Sequence, residues 1–190
     1  MVKVLGIVGS PRLGGNTETA VGEAVGVLRE EEGVETELIR LRDYQINPCK
    51  GCLACTRLRR CAQDDDFVSV FARMVESDGF ILGSPVYCCA PTADILALLQ
   101  RASFLARTIR PFDRKVGGPI VVARRSGKNL VIAQLLMFFM YVGMIVPGSD
   151  NWNGLFGGDP GAVERDHQGL ETIRRFARNL AWTLRKTTAP

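Results

Sequence analysis

The sequence is poor in the side chain that most often moves protons in enzymes, because it contains a single histidine among 190 residues. That residue, His167, comes just before the last predicted helix, and we expect a structural role for it. The net charge is a mild +4, and no basic run is interleaved with aromatic side chains. The sequence therefore argues against nucleic-acid binding and offers no histidine-centred catalytic motif.

A secretory signal is also lacking at the start, where Met1–Gly6 leads directly into a predicted strand. Six cysteines without an export signal favour a reducing compartment, so we expect a cytoplasmic protein. The apolar fraction of 46% and the charged fraction of 23% are typical of a globular protein. The length suits a single domain, residues 1–190.

One long apolar run, from Leu130 to Val146, carries no charge and approaches the length of a membrane span. We interpret it instead as a buried helix that ends near Gly143, followed by a short buried strand, Met144–Val146. A helix that is apolar on nearly every side is expected to bury one face in its own core and another in a subunit interface. The sequence thus predicts no membrane span.

Apolar strands alternate with helices along the chain. This alternation predicts an α/β fold with a doubly wound, five-stranded parallel sheet in the flavodoxin-like order 2-1-3-4-5. A cysteine-rich insertion, about residues 45–64, follows the second strand. The predicted strands are Val2–Val8, Val34–Leu41, Phe80–Leu82, Val116–Ala123 and Met144–Val146.

In such a fold the ligand lies beyond the carboxyl ends of the strands, and three predicted loops there carry suitable residues. The first leads into a helix that Asn16 or Thr17 can cap, so it offers free N–H groups to an anion, although a plain tight turn remains an alternative. The second presents Tyr87 for stacking on a planar ligand, or for burial in the core. The candidates are Ser10, Arg12, Asn16 and Thr17 in the first loop, Pro85, Val86, Tyr87 and Cys88 in the second, and Arg124, Ser126 and Gly127 in the third.

A flavin mononucleotide (FMN) suits all three loops. Its phosphate would lie on the loop from Ser10 to Thr17, and its ring against Pro85–Cys88. The polar edge of the ring would lie near Arg124–Gly127.

Four cysteines form the most specific motif of the chain, Cys49, Cys52, Cys55 and Cys61, with the spacing C-x2-C-x2-C-x5-C. Compact runs of this kind are typical of a cubane iron–sulfur cluster held by thiolates. The cations that surround the motif would stabilise the negative charge of such a cluster; they are Lys50, Arg57, Arg59 and Arg60.

Other interpretations of the cysteines stay open. Structural zinc usually takes two well-separated C-x2-C pairs, which are not found here. A redox dithiol would leave Cys55 and Cys61 unexplained, and disulfides would need an oxidising compartment. Free thiols are the remaining possibility. The acidic run Asp64–Asp66 is expected to start a helix rather than to bind a metal.

Taken together, these motifs resemble those of the iron–sulfur flavoproteins, within the flavodoxin-like, NAD(P)H-dependent FMN reductases. Gly9–Arg12 with Asn16 and Thr17 resembles their phosphate loop, and Gly83–Tyr87 with Pro91 and Thr92 resembles their isoalloxazine loop. The four cysteines, followed by Asp65 and Asp66, resemble the motif that holds a [4Fe–4S] cluster in that family. The closing helix at Asp166–Leu170 is similar as well, whereas Cys88 and Cys89 lie outside the pattern.

The resemblance implies an oxidoreductase that transfers electrons between FMN and a [4Fe–4S] cluster, with no catalytic acid or base from the protein. NAD(P)H or a ferredoxin-like protein would supply the electrons. It also implies a homodimer or homotetramer in which one subunit's cluster faces another's flavin, with Leu130–Val142 as a plausible interface. Two alternatives remain: an NAD(P)H-dependent FMN or quinone reductase without a cluster, and a non-catalytic electron carrier or redox sensor.

Overall fold

A computed structural model describes residues 1–188 and contains a five-stranded parallel sheet in the order β2-β1-β3-β4-β5. The predicted flavodoxin-like, doubly wound fold is therefore confirmed. The last two residues of the predicted domain, 189–190, lie outside the described residues. The strands are β1 (Val2–Val8), β2 (Val34–Arg40), β3 (Gly79–Pro85), β4 (Val116–Ala123) and β5 (Gly154–Phe156). The helices are α1 (Asn16–Glu30), α2 (Ala54–Leu58), α3 (Phe67–Glu76), α4 (Ala93–Ile109), α5 (Lys128–Tyr141) and α6 (His167–Thr188).

Two helical layers cover the sheet. On one face α1 and α6 pack against apolar side chains such as Val4 and Ile81. On the other face α3, α4 and α5 enclose a core in which the ring centroids of Phe80 and Phe112 are 5.4 Å apart. Because β3 and β4 are buried on both faces, their sequences are apolar except at Ser84, as expected of central parallel strands.

The predicted fifth strand, Met144–Val146, is wrong. Ile145 forms a single parallel bridge with Val116, and the chain then leaves the sheet. It returns as β5, which pairs with β4 through Val121 and Gly154. The strand that completes the sheet is thus Gly154–Phe156, which is not among the five predicted strands.

Pro119 explains why the edge of β4 tolerates this interruption. On that edge the N–H of Gly117 donates to the Ile145 carbonyl at 3.0 Å, and the N–H of Val121 donates to the Asn153 carbonyl at 2.9 Å. Alternate residues of a strand point to the same neighbour, so position 119 would supply the donor between them. Proline has no N–H, and no donor is left without a partner where the neighbouring chain departs.

The long apolar run forms α5, a helix of 14 residues that ends before Gly143. It buries one face, including Leu135 and Phe139, against the sheet, as predicted. Its other face exposes Met137, Met140 and Tyr141. Within residues 1–188, no helix has the length and apolar character needed to cross a membrane.

Asp166 joins the last helix to the edge of the sheet. Its Oδ1 accepts a hydrogen bond from the Gly169 N–H at 2.9 Å, which caps the start of α6. Its Oδ2 accepts one from the Phe156 N–H at 2.7 Å, at the end of β5. His167 is the exposed first residue of α6.

Candidate functional site

The loops after β1, β3, β4 and β5 meet around a cavity of about 220 Å³. Because the strands are parallel, their carboxyl ends share one edge of the sheet, and residues from distant parts of the sequence become neighbours there. Eleven residues line the cavity: Ser10, Arg12, Asn16, Thr17, Pro85, Val86, Tyr87, Val122, Arg124, Gly157 and Gly158. Most of the residues predicted for a flavin are therefore brought together, whereas Cys88, Ser126 and Gly127 are not in this lining.

The loop after β1 delivers the start of α1 to the cavity. Gly15 is the cap residue and Asn16 is the first helical residue, so the prediction that Asn16 or Thr17 caps the helix is wrong. Ser10 and Thr17 are almost fully buried, and the Ser10 Oγ accepts a hydrogen bond from the Arg12 N–H at 3.2 Å. The free N–H groups and the positive end of the helix dipole make this loop suitable for an anion.

Asn16 connects the first loop to the chain that follows β5. Its Nδ2 donates to the Asp159 carbonyl at 2.7 Å, and its Oδ1 accepts from the Val163 N–H at 3.3 Å. Both ends of the amide are thus engaged with the segment beyond β5. The structure gives Asn16 the role of a cross-link between two walls of the cavity, in addition to its place in the lining.

The loop after β3 is fastened to the loop after β1 by buried hydrogen bonds. The Thr92 hydroxyl donates to the Gly9 carbonyl at 2.7 Å, and the Gly9 N–H donates to the Gly83 carbonyl at 2.8 Å. A Cβ atom at Gly9 would lie 2.2 Å from the Ile95 Cγ1, so α4 approaches this loop as closely as glycine allows. These contacts fasten the two loops to each other.

Tyr87 begins a tight turn at the mouth of the cavity. It exchanges two backbone hydrogen bonds with Ala90, at 3.0 and 2.9 Å. The two residues between them, Cys88 and Cys89, have φ angles of 48° and 60°, which places both in the left-handed region that favours glycine. The turn presents Tyr87 at the cavity with 45% of its surface exposed, while both cysteines are exposed at the tip.

The loop after β4 supplies Arg124 to the lining, and its next residues form the rim. Gly127 has a φ of +83°, and a Cβ atom there would lie 3.0 Å from the Cys89 Sγ. This loop therefore packs against the turn that follows Tyr87. Ser126 is exposed beside it.

Sequence reasoning missed the wall formed by Val122, Gly157 and Gly158. A Cβ atom at Gly157 would lie 3.0 Å from the Asn16 Cγ, and one at Gly158 would lie 2.7 Å from the Arg124 Cγ. The close approach of the backbone explains the glycine pair. The signal was present, because a glycine pair directly follows β5, but it was hidden by the misplacement of that strand.

The cysteine motif forms a second, separate pocket against α4. All four predicted ligands line one small cavity of about 20 Å³, together with Arg101 and Phe104 of α4. The lining cysteines are Cys49, Cys52, Cys55 and Cys61. Burial raises the pKa of the Cys55 thiol, and negative charge on the three other cysteines raises it further, as expected for thiols that share one small space.

Arg101 ties this pocket to the helix and was not anticipated from the sequence. Its side chain is 1% exposed and forms a two-bond pair with Asp65, at 2.6 and 2.8 Å. Its Nη1 also donates to the Asn47 carbonyl at 3.1 Å, and its Nη2 donates to the Cys61 Sγ at 3.1 Å. Its guanidinium carbon lies 4.2 Å above the centre of the Phe67 ring.

The Asp65 carboxylate completes this network from the loop side. Its oxygens also accept hydrogen bonds from the Asn47 and Phe67 N–H groups, at 2.9 and 3.2 Å. Burial by itself would raise the pKa of Asp65, but the bonds from Arg101, Asn47 and Phe67 outweigh it and hold that pKa well below its usual range. Asp65 is thus an ionised partner of Arg101, and its bond to the Phe67 N–H agrees with the prediction that the acidic run starts a helix.

The four cysteines line one pocket, but they are not arranged as the ligands of a single metal ion. Across residues 1–188, no three His, Cys, Asp or Glu side chains are grouped closely enough to hold one ion. A zinc ion would draw every sulfur to about 2.3 Å from one point. A cubane has four irons that each take one thiolate, so it needs thiols that face one space from different sides. The cysteine pocket has the donor set that such a cluster requires.

Comparison with known proteins gives these two sites a context. The sequence matches the family model described as NADPH-dependent FMN reductase over residues 2–155. It is 40% identical to an iron–sulfur flavoprotein of Methanocaldococcus jannaschii over 187 residues, which cover 95% of this chain and 96% of that protein. It is 33% identical to an iron–sulfur flavoprotein of Methanosarcina thermophila, over 94% of this chain and 93% of that protein.

Solved structures share the fold at lower sequence identity. RosB with the bound intermediate 8-demethyl-8-formylriboflavin-5′-phosphate matches 98% of this chain and 80% of its own, with a TM-score of 0.77 and 20% identity. A WrbA-like flavodoxin protein from Agrobacterium tumefaciens matches 99% of this chain and 100% of its own, with a TM-score of 0.67 and 15% identity. At these identities the likeness concerns the fold alone.

Proposed function

This chain belongs to the iron–sulfur flavoproteins, within the NADPH-dependent FMN reductase family, and we propose that it transfers electrons between a bound FMN and a [4Fe–4S] cluster. It is a flavin-dependent oxidoreductase. One observation carries the cluster half of the proposal: the four thiols of a single loop line a single pocket, beside a buried arginine that donates to one of them.

The residues of the loop cavity suit FMN in charge and in shape. Ser10, Thr17 and the N–H groups at the start of α1 would hold the phosphate, with added positive charge from Arg12. Tyr87 and the backbone of Gly157 would enclose the ring. Since the cavity of about 220 Å³ is smaller than the ~300–1,000 Å³ usual for cofactor pockets, part of the ring would stay open to a redox partner.

The cysteine pocket would hold one iron on each of its four thiolates. A flavin exchanges electrons in pairs or singly and a cluster exchanges them singly, so the two together connect two-electron donors with one-electron acceptors. The protein's own contribution is to position both groups, to exclude water from the buried side of the pocket, and to place cations near the negative cluster. Lys50 and Arg101 both line the pocket.

The electron donor is NAD(P)H or a ferredoxin-like protein in this proposal, and the molecule works as a homodimer or homotetramer. Support for the assembly comes from an apolar groove of about 600 Å³ between α4 and α5, lined by Leu96, Leu99, Met137, Met140 and Tyr141. Six free cysteines in the described chain suit a reducing cytoplasm.

A second candidate is an NAD(P)H-dependent FMN or quinone reductase that carries no cluster. The six cysteines are free thiols in the described chain, as this candidate requires. A non-catalytic carrier would use the same flavin cavity but would show negligible oxidation of NAD(P)H.

The deciding experiment is a visible spectrum of the anaerobically purified protein, with iron, acid-labile sulfide and flavin assayed on the same sample. We expect one flavin and about four irons per chain. Cys61→Ser should lose the iron and keep the flavin, whereas the matched variant Cys89→Ser, at an exposed cysteine outside both sites, should keep both. Flavin without iron in the unaltered protein would overturn the cluster and leave the reductase. NAD(P)H oxidation and reduction by a ferredoxin, measured on the same preparation, identify the donor.

A further inference from the structure

Arg101 has one more hydrogen-bond donor than the protein uses. The side chain is buried, and its Nη1 and Nη2 atoms donate to Asp65, to the Asn47 carbonyl and to the Cys61 Sγ. Its Nε has no hydrogen-bond partner among the described residues. A buried donor without a partner is destabilising, because it has lost its hydrogen bonds to water, and such groups are rare in native proteins. The unpartnered Nε of Arg101 therefore indicates that a further hydrogen-bond acceptor belongs to the site.

The geometry of a guanidinium indicates where that acceptor lies. One edge of the group, formed by Nη1 and Nη2, faces the two carboxylate oxygens of Asp65. The second hydrogen of Nη2 is directed to the Cys61 Sγ. The Nε hydrogen shares that second edge with Nη2, because a guanidinium is planar and rigid. The unused donor thus points to the side of Arg101 on which Cys61 and the cysteine pocket lie.

We propose that Arg101 is the residue that positions the cluster and sets its reduction potential. The Nη2 hydrogen donates to the Cys61 thiolate, and the Nε hydrogen donates to a second sulfur of the bound cluster. This inference rests on the proposed function, since it needs the cluster to be present. It assigns two hydrogen-bond donors to the cluster sulfurs. Both donors belong to Arg101, which lies outside the cysteine motif.

Asp65 and Phe67 keep this donor pair aimed at the pocket. The two bonds to Asp65 fix the plane of the guanidinium, and the Phe67 ring lies against its face at 4.2 Å. A lysine at this position would keep the charge but lose the planar fork. The exposed cations of the cysteine loop differ from Arg101, because water screens their charge and, in the described chain, no hydrogen bond directs them to a cysteine sulfur.

Hydrogen bonds and positive charge at the cluster sulfurs stabilise the reduced form, which carries one more negative charge, so they raise the reduction potential. Removal of the Nε and Nη2 donors of Arg101 should therefore lower the reduction potential. Asp65→Asn keeps an oxygen acceptor for Arg101 but removes the negative charge, so it should act in the opposite direction. The substitutions at Arg101 and at Asp65 should therefore shift the reduction potential in opposite directions. A merely structural role for Arg101 predicts neither shift.

The test is an anaerobic redox titration of the intact protein, followed by the electron paramagnetic resonance of the reduced cluster. At a fixed potential near the midpoint, Arg101→Gln should raise the ratio of oxidised to reduced cluster by about tenfold, which is about 59 mV for one electron. Arg101→Lys should produce a smaller shift of the same sign, and Asp65→Asn a shift to higher potential. Arg107→Gln removes a charge from an exposed position on the same helix, outside the lining of the cysteine pocket, and should leave the ratio within about twofold.

Each outcome bears on the inference. Equal potentials in Arg101→Lys, Arg101→Gln and the unaltered protein would overturn it and leave the proposed function standing. If the unaltered protein contains no cluster, both the inference about Arg101 and the proposed function are overturned. The cluster content of the unaltered protein is therefore measured before any variant is made. If Arg101→Gln loses its iron but keeps its flavin and its unfolding midpoint, the positioning role is supported. If Arg101→Gln does not fold, the Arg101→Lys and Asp65→Asn titrations decide, because their opposed shifts are still required.

Discussion

The flavin cavity and the cysteine pocket are built in contrasting ways. The cavity lies at the ends of hydrogen-bonded strands, and buried backbone-directed bonds such as that from Thr92 to Gly9 fix its loops. The cysteine loop, residues 44–66, contains one helix of five residues, and it is fastened to α4 through the Arg101–Asp65 pair. The first site is a property of the sheet, whereas the second is held by one buried ion pair and by the packing of side chains such as Ile46 and Cys55 against the core. A change to that pair should affect one site far more than the other.

The largest effect is expected from Arg101→Met, which leaves the Asp65 carboxylate buried without its partner. We expect a loss of about 3–5 kcal/mol in the free energy of unfolding, with early proteolytic cleavage in the cysteine loop. The matched control is Arg175→Met, since Arg175 pairs with Asp150 in an exposed position and should cost less than about 1 kcal/mol. Urea unfolding measures both. Equal losses would mean that the buried pair does not hold the loop.

Gly9→Ala tests the flavin cavity. Its Cβ would lie 2.2 Å from the Ile95 Cγ1, so the loop or α4 must move. We expect a loss of about 1–3 kcal/mol, with weakened FMN binding and unchanged iron content. Gly22→Ala provides the control, because a Cβ there meets no atom of the described chain within 4 Å. That variant should be neutral or slightly stabilising in a helix. Loss of iron in Gly9→Ala would show that the two sites are not independent.

Thr92→Val tests the bond that joins the two flavin loops at nearly constant side-chain volume. The Gly9 carbonyl loses its buried donor, for which we expect about 1 kcal/mol. If that energy acts through the cavity, the dissociation constant of FMN rises about fivefold. Thr183→Val removes a hydroxyl that bonds only to its own helix, at the Asn179 carbonyl, and should leave FMN binding unchanged. Flavin fluorescence on titration gives both constants.

The smallest effect concerns pH and returns to the cysteine loop. Because the folded-state pKa of Asp65 lies below its ordinary value, ionised Asp65 favours the folded state. Its contribution is complete above the ordinary carboxyl pKa of about 3.9, and it is lost progressively as the pH falls below that value. Proteolysis of the cysteine loop should therefore accelerate in that range in the unaltered protein. Asp65→Asn should show fast cleavage that varies less with pH, and identical pH profiles would contradict this assignment.

Much of the fold was accessible from the order of residues. The bounds of β1 and β4 were predicted to the residue, since buried parallel strands have short, uniformly apolar sequences. The parallel sheet followed from the alternation of strands and helices, and the order 2-1-3-4-5 was taken from flavodoxin-like folds. The three predicted flavin loops do meet at one edge, because parallel strands all end on the same side. The flavin contacts of the individual residues stay a prediction.

The misplaced fifth strand and the missed glycine wall have a shared physical cause. Met144–Val146 is more apolar than Gly154–Phe156, so periodicity favours it as a strand, yet pairing is decided by which backbone groups of β4 are available. Pro119 was visible in the sequence, but its meaning depends on which edge of β4 it faces. Once the last strand was misplaced, the glycine pair Gly157–Gly158 could not be recognised as a wall of the cavity.

The amino-acid order alone thus specified the sheet, the loops at its carboxyl edge and the four thiols that occur close together in the chain, because each is encoded by local pattern. Arg101 is different. It interrupts the apolar face of α4 that contains Leu98 and Leu105, which is a signal, but its partners Asp65 and Cys61 lie 36 and 40 residues away. Only folding brings this cation against those thiols, since a contact between distant segments depends on how the helix packs and not on spacing along the chain.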